Sequence, residues 1–127
     1  MMKEFLLSWG MLVVSVVFNA AGVFAIKMKL NELGAIKFDS LKIVINYFLA
    51  MCKSPFVLLG LLLFFLAPFI FTVALSRMQI SVAYPAQVGL NFAILVILAI
   101  LFLGESLTVY KIIGIALVFL SIYFLQR

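Results

Sequence analysis

Histidine is missing from these 127 residues, cysteine occurs once, at Cys52, and only four side chains are acidic. A lone cysteine excludes a disulfide within the chain. Without histidine, neither a metal site nor a Cys/His catalytic pair can be assembled. No nucleophile, base and orienting partner come together either, so an enzyme is not expected and no cofactor or metal is implied. Charge is scarce too: Asp, Glu, Lys and Arg make up 10% of the chain, against 69% hydrophobic residues. At that ratio a water-soluble core would have no polar surface left to enclose it. The composition predicts a membrane protein with a single domain, residues 1–127.

The apolar residues are gathered into four runs, 5–26, 56–75, 80–103 and 107–125. Each supplies roughly the 20 residues that a helix needs to cross a bilayer. No charged residue stands near the middle of any run, as expected where a mid-bilayer charge costs at least about 2.5 to 3.5 kcal/mol. The expected fold is all-α, with four transmembrane helices. The first run follows Lys3 and has Ala20 and Ala21 near its end, which raises the question of a secretory signal. Its length of about 22 residues exceeds the roughly 7 to 15 of a signal's apolar core, so a retained transmembrane helix is expected instead.

Between the first two runs lies the only extended connection. Within 38–52, Phe38, Leu41, Ile45, Phe48 and Cys52 recur at helical spacing, while Asp39, Lys42, Asn46 and Lys53 fall on another stripe. This pattern predicts an amphipathic helix lying in the membrane interface or packed on the bundle. Pro55 suits the first turn of the next helix. The remaining turns are short, which makes successive helices antiparallel neighbours. Gly104 is a natural helix stop, and Ser106 or Thr108 a natural N-cap.

The basic residues sit at the ends of the runs, without the interleaved aromatics of a nucleic-acid surface, and therefore suit anionic lipid headgroups; no nucleic-acid partner is expected. Lys27, Lys29, Lys37, Lys42, Lys53 and Lys111 lie on one side, Lys3, Arg77 and Arg127 on the other. By the positive-inside rule, both termini are expected outside the cytoplasm.

Polar residues carried into lipid mark where function should reside. On the third run Ser81, Tyr84, Gln87 and Asn91 are spaced three, three and four apart, on one helical face around Pro85. On the first, Ser15, Asn19 and Gly22 form a similar stripe. The two faces are expected to line a common polar cavity. The competing reading is that these groups bond one another as interhelical glue, at about 0.6 kcal/mol each. Gly114 and Ser121, seven apart, form a small-residue packing face within the bundle or between subunits. Four short helices enclose little volume, so a cavity for an amphiphile is expected to need two chains.

The segment 81–92, Ser-Val-Ala-Tyr-Pro-Ala-Gln-Val-Gly-Leu-Asn-Phe, resembles the third-helix motif of the subunits that flip aminoarabinose-phosphoundecaprenol. Leu-Gly-Glu-Ser-Leu at 103–107, followed by Ile112, Ile113 and Gly114, resembles the start of the last helix across the drug/metabolite transporter superfamily. Gly114 and Ser121 are similar to a dimerisation pattern of the small multidrug exporters, with serine in place of their second glycine. The likeness is thus to the small multidrug resistance-like, four-helix branch of that superfamily, and it covers the first, third and fourth runs.

Two departures set the subtype. Where the proton-coupled exporters carry a first-helix glutamate, three residues before a glycine and eight before a lysine, this chain has Asn19, Gly22 and Lys27. Asparagine cannot titrate, which removes proton exchange through that position. Where the exporters have a third-helix tryptophan the chain has Gln87, which removes an aromatic wall for lipophilic cations. The resemblance therefore implies a flippase subunit for a polyprenyl-phosphate-linked sugar or similar glycolipid, in a bacterial inner membrane, working as a homodimer or as a heterodimer with a related chain. Asn19, Tyr84, Gln87 and Asn91, with Ser15 and Ser81 on the same stripes, would bind the head group, and Lys27 its phosphate. Export of small polar or cationic solutes, or a non-transporting role beside a glycolipid enzyme, are the alternatives.

Overall fold

The computed structural model describes residues 1–127 and contains five helices: α1 (Met2–Leu33), α2 (Leu41–Cys52), α3 (Pro55–Leu75), α4 (Ile80–Phe102) and α5 (Val109–Leu125). Three of them, α1, α3 and α4, are long and apolar enough to cross a membrane, which suggests a membrane protein. With 17 residues, α5 is shorter; at 1.5 Å per residue it reaches about 25 Å, the lower limit for a span. Four transmembrane helices are therefore not all established by length.

The core is built from small side chains. Of the twelve buried apolar residues seven are alanine: Ala20, Ala25, Ala67, Ala74, Ala83, Ala86 and Ala93. The bulky residues face outward, among them Leu62, Phe65 and Phe69 on α3 and Leu117, Leu120 and Phe124 on α5. Water would penalise this arrangement. In lipid, exposed leucine costs nothing, and close approach of backbones supplies the packing energy instead.

The α1–α3 seam shows that approach most directly. A Cβ placed on Gly22 would lie 2.5 Å from the Gly60 carbonyl oxygen and 2.7 Å from Phe64 Cβ. Likewise a Cβ on Gly60 would lie 2.5 Å from Ala25 Cβ. Gly22 therefore faces α3, and the expectation that it borders a polar cavity is corrected. Between α4 and α5 the equivalent position is Gly89, where an added Cβ would collide with Val118 and approach Ile122 Cδ1 at 3.0 Å. Gly114 has no such crowding, and Ser121 is exposed with its hydroxyl turned back on the Val118 carbonyl. Half-buried Gly114 still faces α4, where an added Cβ would meet Phe92 at 4.0 Å, so only Ser121 of the pair is fully exposed.

Helix ends follow the expected chemistry, with shifts. Pro55 occupies the first turn of α3, and the Thr108 hydroxyl caps α5 by accepting from the Lys111 N–H at 3.2 Å. Gly104 takes φ 70°, ending α4 one residue before the run at 80–103 does. At the other end of the molecule, α1 continues seven residues beyond Ile26, to Leu33, and stops at Gly34 with φ 81°. That extension holds a Lys29–Glu32 ion pair of 3.2 Å at helical spacing. The following helix starts at Leu41, with the Ser40 hydroxyl accepting from the Ile43 N–H, so Phe38 lies outside it. Leu41, Ile45, Phe48 and Cys52 are all exposed, while Val44, Tyr47 and Met51 turn inward. Thus α2 packs on the bundle with one face and presents the predicted apolar stripe outward.

Glu4 and Arg77 pair at 2.9 Å, which places the start of α1 beside the α3–α4 turn. Consequently α1 and α4 run in the same direction, and their stripes are matched in depth.

Candidate functional site

The middle of α4 carries two amides, Gln87 and Asn91, both half-buried. Its backbone is continuous through Pro85, and buried Ala83, Ala86 and Gly89 supply the packing face. About 100° around the helix from Ala83 and Ala86, exposed Tyr84 and half-buried Gln87 and Asn91 form a stripe beside that packing face. Across from them stands Asn19 of α1, one residue before the buried Ala20.

These four side chains, with Val88, line one cavity of about 240 Å³. No charged group contributes to its wall. None of the chain's side-chain hydrogen bonds joins any two of the four. The Oδ1 of Asn91 is buried without any partner. An unpaired buried acceptor costs about 1 to 3 kcal/mol, which is not how a residue kept for gluing helices would be placed. The side chains around the cavity thus form no hydrogen bond with one another, and the Asn91 oxygen itself is covered.

The other expected residues fall elsewhere. Ser15 is fully buried, and its hydroxyl donates to the Leu12 carbonyl at 2.7 Å, within its own helix. Ser81 is exposed near the start of α4 and does not line the cavity. Lys27, eight residues beyond Asn19, stands about 12 Å further along α1. It lines a different and larger cavity, about 440 Å³, together with Leu30, Asn31, Gly34, Ala35, Ile36 and Tyr47. The Tyr47 hydroxyl donates to the Gly34 carbonyl, tying α2 to the end of α1. Asn31 and Tyr47 were not among the expected site residues. Their signal was the continuation of α1 past its apolar run, which puts Asn31 one turn after Lys27. Glu105 lies 3.9 Å from Lys111 at the exposed α4–α5 turn, as a turn residue would.

Comparison with known proteins yields little. A segment of 58 residues is 45% identical to Uncharacterized protein y4nH of Sinorhizobium fredii, covering 46% of this chain and 50% of that protein. The match thus spans about half the length of that relative. No family model matches the chain, and no solved structure matches it.

Proposed function

We propose that this chain is a membrane transporter subunit of the flippase type, moving a polyprenyl-phosphate-linked sugar or similar glycolipid across a bacterial inner membrane. One observation carries the reading: Asn19, Tyr84, Gln87 and Asn91 surround a shared cavity unpaired, with the Asn91 oxygen buried and unsatisfied. Neutral amides and a phenol suit sugar hydroxyls, each of which both donates and accepts. A cation would meet no carboxylate there, which weighs against a cation exporter, and only the uncharged sugar of the proposed substrate is assigned to this cavity.

In this proposal α5 is the fourth span and α2 lies along the interface with its exposed stripe among acyl chains. Both termini are outside the cytoplasm, following the six lysines on the opposite side. The cavity's volume falls below the roughly 300 to 1,000 Å³ of complete ligand sites. A second chain, identical or related, would supply the remaining wall, meeting the half-buried Gly114 and exposed Ser121 of α5. The two chains would then expose the site alternately to either side.

The test is movement of a short-chain polyprenyl-phosphate sugar in proteoliposomes. Asn91→Leu and Gln87→Leu are expected to slow transfer at least tenfold without lowering the amount of folded protein. Transfer at the unaltered rate in both variants would remove the cavity from the mechanism.

A further inference from the structure

The second cavity lies where lipid headgroups would be. At about 1.5 Å per residue the 32 residues of α1 extend about 48 Å, against roughly 30 Å of hydrocarbon. The turns after Ile26 therefore emerge at headgroup level, and Lys27, Asn31 and Gly34 line the cavity from that emergent part, closed on its other side by Tyr47 of α2. The volume of about 440 Å³ lies within the range of ligand sites.

The electrostatics select the ligand. Lys27 is exposed into this corner and takes part in none of the three ion pairs, whereas its neighbour Lys29 is neutralised by Glu32 at 3.2 Å. No carboxylate lines the cavity. The wall thus presents one uncompensated ammonium, the amide of Asn31 and the phenol of Tyr47. The corner is also held in advance: the Gly34 N–H donates to the Leu30 carbonyl at 2.8 Å, and Tyr47 bonds the Gly34 carbonyl across thirteen residues of chain. The carbonyls that end α1 oppose an anion, so binding must depend on the Lys27 charge.

We propose that this corner is a site for the phosphate ester of a membrane lipid, with Lys27 as its charge partner, the Asn31 amide as its neutral donor and Tyr47, whose one proton is held by the Gly34 carbonyl, fixing the shape of the wall. It deepens the transport reading and rests on it only for which lipid supplies the phosphate, the carried polyprenyl phosphate or a resident phospholipid.

The experiment is lipid retention by the purified full chain, followed by native mass spectrometry in detergent. Undecaprenyl phosphate, phosphatidylglycerol and, as a lipid without phosphate, dioleoylglycerol are titrated separately. One phosphate lipid is expected to bind saturably per chain, and dioleoylglycerol is not. Lys27→Gln should weaken binding about tenfold or more, the loss of one charge-assisted bond, and Lys27→Arg should restore most of it. Lys42→Gln, which removes a basic residue outside the cavity, should leave binding unchanged. Preference for undecaprenyl phosphate assigns the corner to the carried lipid, and equal binding of both assigns it to resident phospholipid. Unchanged binding in Lys27→Gln, an equal loss in Lys42→Gln, or equal retention of dioleoylglycerol would overturn the proposal. Because binding is read apart from transfer, a corner that binds beside an Asn91→Leu variant that transports normally would sink the transport reading alone.

Discussion

Helix α1 has two seams of opposite character. Toward α3 it is closed, with Gly22 and Gly60 letting the backbones meet. Toward α4 it is open around Asn19, where four polar side chains share a cavity and do not bond each other. Three residues separate Gly22 from Asn19, less than one turn. A lipid solvent explains how both can coexist: it gives no drive to bury apolar surface between helices, so a seam closes only where small residues allow contact, and stays open where larger polar side chains intervene. The closed seam is packed backbone to backbone, and the open one leaves its polar side chains unbonded to one another.

Substitutions on the two seams should therefore differ in kind. The largest effect is expected from Gly22→Ala, whose methyl meets a backbone oxygen that cannot move aside; a loss of about 1 to 3 kcal/mol or more should appear as a lowered melting midpoint in detergent. Gly89→Ala tests the α4–α5 seam in the same assay. Its obstacles are the flexible ends of Val118 and Ile122, so a smaller drop is expected, toward the lower end of that range. Asn19→Leu should change stability in the same assay by only about 0.6 kcal/mol while impairing transfer. A drop as large as that of Gly22→Ala would mean that Asn19 holds the bundle together and that the two seams are alike. The smallest effect belongs to Glu4→Gln, which removes a largely exposed pair with Arg77, worth about 0.2 to 0.5 kcal/mol and less at high salt, with no change in transfer.

Much of the fold was legible because membrane helices announce themselves by length and by the clearing of charge. The starts of α3 and α4 and the caps at Pro55, Gly104 and Thr108 could be read directly, since each depends on residues next to one another in the chain. The end of α1 and the start of α2 could not. Stopping α1 at Ile26 treated the end of apolarity as the end of the helix, but backbone hydrogen bonding continues through Lys27, Lys29 and Glu32, since a helix needs no apolar side chains to propagate. That misplacement is why Asn31 and Tyr47 went unnoticed. Periodicity did identify Asn19, Tyr84, Gln87 and Asn91 as candidates, yet it assigned Ser15, Ser81 and Gly22 to the same cavity. Shared faces on single helices do not say which neighbour each face meets.

By itself, the order of residues determined that the chain is helical, where its long apolar helices lie, and that no titratable acid stands among the polar groups of α1 and α4, because these follow from local hydrogen bonding and from the cost of charge in lipid. Tertiary structure alone decided that Gly22 closes against α3 while Asn19 opens toward α4, that the Asn91 oxygen has no partner, and that Lys27 belongs to a separate corner built with α2. Those outcomes depend on how helices are rotated against one another, and that rotation is set by small residues far apart in the chain fitting backbone to backbone.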